Sequence, residues 1–182
     1  ARFRQVPAYR PAGMGVDMLG FSAVTGAGHY VSPQLFQDIR GWLSGPTITA
    51  ELYGLTSATV IQPVVRDYAP DYLELSMDEY ERFADALTLP CIVSATDVSQ
   101  LKSRKRMPGV AFVIVTEEAE SQELSAIDYP VLVKVSSVES VRELLAKNCY
   151  KGFVLEAPAE TRPGYTSYDA LGDILEALEE DA

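Results

Sequence analysis

A regular alternation of short apolar runs with amphipathic stretches limits the folds open to this chain more than any other feature. The alternation begins near Gly15 and occurs about seven times within the 182 residues. Several of the runs are nearly continuous in Val, Ile, Leu and Phe, which is typical of strands that are buried on both faces. The apolar runs cover residues 17–22, 47–53, 71–76, 90–97, 110–116, 130–136 and 151–157.

The stretches between the runs show the periodicity of amphipathic helices. The clearest helix pattern follows Ser32 and Pro33, which supply an N-cap and a proline at the first helical position. Its apolar residues are Leu35, Phe36, Ile39, Trp42 and Leu43. Two further stripes consist of Val138, Val141, Leu144 and Leu145, and of Leu171, Ile174, Leu175 and Leu178. Weaker helices are expected over residues 77–87, 98–107 and 117–127.

Strands and helices that alternate with short connections predict a parallel sheet with right-handed crossovers. Seven such units fit a TIM-type (β/α) barrel better than an open doubly wound sheet. No G-x-G-x-x-G or Walker motif opens a helix, which lowers the nucleotide-binding alternative. We therefore expect an α/β fold with seven clear βα units in a single barrel domain over residues 1–182.

The N-terminal segment breaks this rhythm. Residues 1–14 contain Pro7 and Pro11 and no helical stripe, so we expect them to be irregular and the first unit of the barrel to be incomplete or missing. An incomplete barrel leaves an open edge with unpaired backbone groups. Three alternatives follow: residues 2–6 form a short strand that partly fills the gap, a second chain covers the edge in a homodimer, or the first strand and helix lie outside this chain.

The composition excludes several classes of function. Lys and Arg number 15 and Asp and Glu number 26, and the formal charge of −11 makes nucleic acid and anionic membrane surfaces poor partners. The longest apolar runs are far shorter than the roughly 20 residues of a bilayer span. Cys91 and Cys149 are too few for a disulfide framework or for a zinc site alone. We expect reduced thiols, a cytoplasmic location and no cofactor.

Three segments carry motifs of a known barrel family. Residues 15–54 (GVDMLGFSAVTGAGHYVSPQLFQDIRGWLSGPTITAELYG) contain counterparts of a G-A-D-x-x-G-F-x-F strand, an S-P-R-x-V motif, a helix and a V-G-V-F strand. Residues 70–79 (PDYLELSMDE) match an L-D-x-V-Q-L-H-G-x-E segment, and residues 152–165 (GFVLEAPAETRPGY) match a G-V-D-V-S-S-G-V-E-x-x-P-G segment. In these motifs the chain resembles phosphoribosylanthranilate isomerase, the (β/α)8 barrel of tryptophan biosynthesis.

The resemblance implies an isomerase that catalyses an Amadori rearrangement of an aminoaldose ester to an aminoketose. The family uses a cysteine base at the end of the first strand, an aspartic acid at the end of a later strand, and backbone amides that bind the substrate phosphate. Residues 1–6 contain no cysteine, and Val115 or Thr116 stands where the acid is expected. The phosphate-binding positions align with residues 134–136 and 156–158, where Glu156 would repel a phosphate unless another cation compensates.

The fold residues are thus retained while the reacting residues are lost, and the resemblance implies a catalytically degenerate barrel. Such a barrel can still bind a small molecule at the carboxyl ends of its strands, the face that carries function in TIM-type barrels. Two alternatives stay open. One is an active isomerase whose catalytic groups lie at unrecognised positions, and the other is a non-catalytic, partner-binding barrel.

Six residues near this face are candidates for ligand binding, and each has a structural alternative. The lone histidine is a candidate base near neutral pH or an ordinary residue of a Gly-rich loop. Lys134 is a candidate anion ligand, but a pair with Glu156 on the next strand is favoured. The two serines before the helix at Val138 fit either anion binding or N-capping. The six candidates are His29, Ser76, Lys134, Ser136, Ser137 and Glu156.

Two charged groupings have weaker functional interpretations. Glu51, Glu74 and Glu156 end three strands and would form an oxygen-ligand cluster for a divalent cation if they converged with Asp97. The sequence alone does not fix the alternation of these strands well enough to place all three glutamates inward, so we expect no metal site. A basic run in the most polar helix is interpreted as a solvated face, and it consists of Lys102, Arg104, Lys105 and Arg106.

Overall fold

One antiparallel and seven parallel strands close into a barrel in a computed structural model that describes residues 2–5, 16–102, 104, 107–119, 121–147, 150–156 and 169–180. The strands follow one another around the barrel in chain order. They are β1 (Arg2–Gln5), β2 (Met18–Ser22), β3 (Thr47–Glu51), β4 (Tyr72–Ser76), β5 (Cys91–Ser94), β6 (Val110–Thr116), β7 (Val131–Lys134) and β8 (Gly152–Glu156).

Helices follow each of the parallel strands within the described part of the chain. They are α1 (Pro33–Arg40), α2 (Ile61–Tyr68), α3 (Met77–Phe83), α4 (Ser99–Lys102), α5 (Ser121–Leu124), α6 (Val138–Leu145) and α7 (Asp169–Glu180). Single 3-10 turns at Ala58–Val60 and Ala84–Ala86 precede α2 and follow α3. The predicted TIM-type fold, with seven βα units and an incomplete first unit, is confirmed.

The first strand closes the barrel with the opposite direction to its neighbours. Arg2 lies opposite Gly20 of β2 and Glu156 of β8, and both pairings are antiparallel. Of the three alternatives, the short strand over residues 2–6 is therefore the one found, and it covers Arg2–Gln5. The sequence had indicated an irregular structure for the whole of this segment. Residues 1 and 6–15 lie outside the described residues.

Two apolar clusters on opposite sides of the sheet fix which side chains face the barrel interior. The smaller cluster joins residues of five strands across the barrel, and it consists of Met18, Ile92, Ile114, Leu132 and Val154. The larger cluster packs strand residues such as Ile48 and Leu155 against helix residues such as Phe36 and Val141. Because side chains alternate with a period of two along a strand, residues two or four positions after the inner cluster also face inward.

Two helices are shorter than the sequence-based expectation. The helix expected over 98–107 is only Ser99–Lys102, and beyond it the backbone N–H of Met107 donates to the Tyr129 hydroxyl. The helix expected over 117–127 is only Ser121–Leu124, and Glu117 lies in a turn after β6.

The sequence analysis did not identify the apolar stripe of helix α2, because Pro63 lies within it. The stripe has helical spacing and consists of Ile61, Val64, Val65 and Tyr68. Pro63 is tolerated because it lies in the first turn, where a backbone N–H has no intrahelical partner. No helix in the described ranges is long and apolar enough to cross a membrane.

Removal of residues 1–6 tests the closure of the barrel. The deletion removes the backbone pairing of β1 with both β2 and β8, and each lost hydrogen bond is worth about 1 kcal/mol net. We expect the Tm to fall by roughly 5–10 °C, and the exposed edges to promote self-association. Thermal unfolding and sedimentation measure both effects. An unchanged Tm and an unchanged mass would contradict the assigned role of β1.

The buried thiol of Cys91 gives a second test of the packing. Cys91 begins β5 within the outer cluster, and burial raises the pKa of its thiol to about 11. Only about one thiol in a thousand is ionised at pH 8. In a Cys149→Ser variant we therefore expect no reaction with a disulfide reagent at pH 8 in the native state and full reaction in denaturant. Rapid native-state labelling would show that Cys91 is accessible.

Candidate functional site

The carboxyl ends of the parallel strands place a ring of polar side chains at one mouth of the barrel. Their inward direction follows from alternation: Ser76 comes four residues after Tyr72, and Lys134 and Glu156 come two residues after the inner-cluster residues Leu132 and Val154. The inward-facing polar positions at this mouth are Ser22, Glu51, Glu74, Ser76, Ser94, Thr116, Lys134 and Glu156.

The predicted pair between Lys134 and Glu156 is present. The Lys134 Nζ lies 2.9 Å from Glu156 Oε1, and the two side chains are 42% and 43% exposed. An ion pair with this much solvent access is worth at most about 1 kcal/mol. The pair therefore stabilises the mouth between β7 and β8 only weakly. Another charged group can replace either partner.

Glu117 binds the start of the next unit through Ser136. Its Oε2 accepts a hydrogen bond from the Ser136 backbone N–H at 3.1 Å, and its Oε1 accepts one from the Ser136 hydroxyl at 2.8 Å. Partial burial opposes ionisation, but hydrogen bonds from Ser136 and Ser140, together with the charge of Lys134, lower the pKa of the Glu117 carboxyl. A carboxylate of this chain therefore occupies the N-terminal end of α6.

The candidate serines have structural partners. The Ser137 hydroxyl accepts a hydrogen bond from the Ser140 backbone N–H at 3.1 Å and caps α6. The Ser76 hydroxyl caps α3 by accepting from the Glu79 backbone N–H at 3.3 Å. N-capping of α6 by Ser137 was one of the two alternatives given by the sequence, whereas the capping role of Ser76 was not predicted, and Ser136 is bound by Glu117.

Glu79 is a buried residue of the site that sequence reasoning missed. Its Oε1 accepts from the backbone N–H groups of Gly54 and Leu55 at 2.6 and 3.0 Å. Its Oε2 accepts from the backbone N–H and the hydroxyl of Ser76 at 2.8 and 2.7 Å. One carboxylate thus joins the loop after β3 to the start of α3. The S-x-x-E spacing from Ser76 to Glu79, which is typical of a capping box, was the signal available in the sequence.

Two glutamates lie deeper in the barrel than the ion pair. Glu51 and Glu74 are 6% and 0% exposed and stand opposite one another on β3 and β4. The Tyr53 hydroxyl donates a hydrogen bond to Glu74 Oε1 at 2.7 Å.

The cluster of these glutamates with Asp97, on which a metal site would depend, is not found in the described part of the chain. Asp97 is exposed, its Oδ1 accepts from the Ser99 backbone N–H at 2.8 Å, and hydrogen bonds from Ser99 lower the pKa of its carboxyl. Among the residues that the structure describes, no three His, Cys, Asp or Glu side chains form a group that could hold a metal ion.

His29 lies apart from the ends of β7 and β8. It is exposed in the loop between β2 and α1, with φ of 62° in the left-handed region. The turn is held by a hydrogen bond from the Tyr30 N–H to the Ala27 carbonyl at 3.3 Å. This geometry favours the interpretation of His29 as a loop residue.

The basic run also lies outside the mouth. Lys102 pairs with Glu123 at 2.7 Å, and Arg104 pairs with Glu81. Lys105 and Arg106 lie outside the described residues. The described members of the run therefore join neighbouring units on the outside of the barrel.

A groove of about 240 Å³ opens between the ends of β7 and β8 and the first half of α7. Lys134, Ser136 and Glu156 form its polar side. Its apolar floor consists of Val135, Leu155, Leu171 and Ile174. A larger open hollow, of about 600 Å³, lies at the opposite face among the loops that precede β7 and β8. The groove thus combines three of the six predicted site residues, while His29, Ser76 and Ser137 do not line it.

No family model matches the sequence, and no curated protein matches it. Solved structures do match: phosphoribosylanthranilate isomerase from Thermus thermophilus has a TM-score of 0.69 at 17% identity over 92% of this chain and 90% of its own. The isomerase from Thermotoga maritima has a TM-score of 0.68 at 13% identity over 92% and 90%. Monomers generated from the dimeric Thermotoga maritima isomerase have a TM-score of 0.66 at 12% identity over 92% and 89%.

A further similar structure carries a ligand. It is a phosphoribosylanthranilate isomerase in complex with reduced 1-(o-carboxyphenylamino)-1-deoxyribulose 5-phosphate, with a TM-score of 0.67 at 12% identity over 92% of this chain and 89% of that chain. At these identities the likeness is one of fold. The chain is a TIM-type barrel whose fold is similar to that of phosphoribosylanthranilate isomerases.

Substitution of Glu79 tests how the site is held together. Glu79→Ala removes the acceptor of four hydrogen bonds and leaves buried backbone N–H groups without it. We expect a loss of roughly 2–4 kcal/mol in the free energy of unfolding. Glu79→Gln keeps one acceptor oxygen and should lose less. Urea unfolding measures the change, with Asp78→Ala on the exposed side of α3 as the control. Equal stabilities of Glu79→Ala and Asp78→Ala would contradict this role.

Proposed function

We propose that this chain is a catalytically degenerate relative of phosphoribosylanthranilate isomerase that binds a small molecule at the carboxyl ends of its strands. The proposal places residues 1–182 in a single barrel domain in the cytoplasm. Three features support the proposal. The barrel has the fold of these isomerases, its mouth is polar and ordered, and the polar groups at the mouth differ from those of the isomerase reaction. The candidate ligand-binding residues remain His29, Ser76, Lys134, Ser136, Ser137 and Glu156.

The observation that carries the proposal is the carboxylate of Glu117 on Ser136. The resemblance places the substrate phosphate of the isomerase beside residues 134–136, where backbone N–H groups would bind it. Here the Ser136 N–H and hydroxyl already donate to Glu117, and Glu156 lies across the groove. Glu117, bound to Ser136, and Glu156 would each repel a phosphate that approached the Ser136 donors. A phosphate ester would have to displace Glu117 before it could bind.

The proton-transfer groups of the reaction also lack counterparts at the described positions to which the resemblance assigns them. Thr116 ends β6 where the resemblance places the acid. Cys91 belongs to the outer cluster at the start of β5, and its raised pKa makes it a poor thiolate base. General acid and general base each contribute typically about 10²–10⁴-fold to a rate. Loss of both accounts for a barrel that keeps the fold without the reaction.

Direct measurement of isomerisation tests the proposal. We expect the purified chain to turn over phosphoribosylanthranilate at least about 10⁴-fold more slowly than a known isomerase. We also expect it not to rescue a strain that lacks the isomerase. The known isomerase, purified in the same way from that strain, is the control. Rescue, or turnover well above the background of the strain, would support the alternative of an active isomerase with unrecognised catalytic groups.

A partner-binding barrel is the second candidate, and two exposed apolar residues on and just after α1 favour it. Leu35 of α1 is 49% exposed, and Trp42, in the turn that follows α1, is 90% exposed. Exposed tryptophan is enriched at protein interfaces. The partner in this candidate is a second copy of the chain, as in the dimeric Thermotoga maritima isomerase.

The mass in solution distinguishes this second candidate. The closure of the barrel by β1 predicts a monomer of 19.9 kDa, because no strand edge needs a partner. Sedimentation of the full chain and of Trp42→Ser measures the state. A dimer that Trp42→Ser dissociates, while Gln34→Ser leaves it intact, would favour the partner-binding barrel.

A further inference from the structure

We propose that the hollow among the loops before β7 and β8 binds a free amino acid with an aromatic or large apolar side chain. The ammonium group of the ligand contacts Asp128, and its carboxylate contacts Lys151. The inference is independent of the proposed small-molecule site, since that site lies at the carboxyl ends of the strands. Two opposite charges and two tyrosines that line the hollow carry it.

Two residues of opposite charge line the hollow without forming a pair. Asp128 stands in the loop before β7, and Lys151 immediately precedes β8. Both residues are exposed. Within the described part of the chain, neither side chain forms an ion pair or a hydrogen bond, with the other or with any further residue. The hollow therefore offers one anionic and one cationic group, which is the charge pattern complementary to a zwitterion.

A ligand with a single charge fits this pattern less well. A simple amine would be attracted by Asp128 and repelled by Lys151, and a simple carboxylate would meet the reverse arrangement. A zwitterion avoids both repulsions, because each of its charges has a group of opposite sign. The Lys151 ammonium group sits on a flexible four-carbon stem, so it can adjust to the position of the ligand carboxylate.

The aromatic residues of the hollow are held in place by their own contacts. The Tyr129 hydroxyl accepts a hydrogen bond from the Met107 backbone N–H. The Tyr150 ring packs against the Phe153 ring, with their centroids 4.7 Å apart. Both tyrosines are half-buried, so part of each remains accessible to a ligand. Aromatic pairs attract one another beyond the area that they bury, which favours a ligand with an aromatic side chain.

The backbone beneath the hollow is fixed by the first hydrogen bonds of the sheet. The Lys151 N–H donates to the Val131 carbonyl at 2.7 Å, and the Val113 N–H donates to the Pro130 carbonyl at 3.0 Å. The loops that carry Asp128 and Lys151 are thus tied to the starts of β7 and β8. A preformed site of this kind loses little affinity to ordering when the ligand binds.

The size of the hollow suits an amino acid of this class. Its volume is about 600 Å³. A water molecule occupies about 30 Å³ of liquid volume, so the hollow holds roughly 20 atoms of that size, and phenylalanine has about 12 non-hydrogen atoms. Water fills the remainder. Because both charged groups are exposed, each contact is weak, and we expect a dissociation constant in the millimolar range.

Three probes that share one aromatic ring test the ligand class on the full chain. L-Phenylalanine carries both charges, phenethylamine carries only the positive one, and 3-phenylpropionate carries only the negative one. In NMR titrations at pH 7 we expect phenylalanine to bind saturably, with shifts at Tyr129, Tyr150 and Lys151, and the other two to bind about 5-fold more weakly. Equal binding of the three probes, no saturable binding of phenylalanine, or shifts confined to Ser136 and Ile174 would overturn the proposal.

Two variants with matched controls assign the charged contacts. Asp128→Asn should weaken phenylalanine and phenethylamine about 5-fold, and should leave 3-phenylpropionate unchanged or strengthen it. Lys151→Gln should weaken phenylalanine and 3-phenylpropionate, and should leave phenethylamine unchanged or strengthen it. Asp78→Asn and Arg142→Gln remove the same charges from exposed positions of α3 and α6 and should change no affinity by more than about 2-fold. Equal effects of Asp128→Asn and Asp78→Asn on phenylalanine, or of Lys151→Gln and Arg142→Gln, would overturn the assignment.

The outcome is separable from that of the proposed function. Isomerase turnover by the wild-type chain would overturn the degenerate-barrel proposal whether or not phenylalanine binds. Failure of phenylalanine to bind would overturn only the amino acid site at the opposite end of the barrel.

Discussion

Closure of the sheet is the constraint on which the remaining structure depends. Because β1 pairs with both β2 and β8, each strand has two neighbours and the sheet has an inside and an outside. The period of two along each strand then assigns side chains to one side or the other. Leu155 packs outward against the helices, and the next residue, Glu156, faces the mouth. The site is therefore a consequence of the same register that builds the core.

The mouth that results is acidic and internally bonded. Glu79 joins the loop after β3 to α3, and Glu117 joins the turn after β6 to the start of α6. Both carboxylates accept hydrogen bonds from backbone N–H groups of an adjacent unit, so adjacent units of the barrel hold one another. At Ser136 this bond uses donors that could otherwise serve a bound anion. In the proposed function, one contact thus both stabilises the barrel and excludes a phosphate.

Strands and well-patterned helices could be predicted from the sequence because their signals are local. The run at 110–116 became β6 with the same bounds, and Ser32 caps α1 as its position before Pro33 indicates. The pair of Lys134 with Glu156 was also predictable, since both end adjacent parallel strands. Glu117 was not, because its partner Ser136 is 19 residues away and the intervening helix is far shorter than its pattern suggests. The direction of β1 is likewise a tertiary property that no pattern within Arg2–Gln5 encodes.

Titration with the phosphate ester bound by a similar structure tests the central claim most directly. Reduced 1-(o-carboxyphenylamino)-1-deoxyribulose 5-phosphate occupies a phosphoribosylanthranilate isomerase of the same fold. If Glu117 and Glu156 exclude a phosphate from the groove, calorimetry with the full chain will detect no saturable binding of this compound, while a known isomerase in the same buffer binds it. Saturable binding of this compound at the groove alone, which the change Ser136→Ala abolishes, would contradict the account.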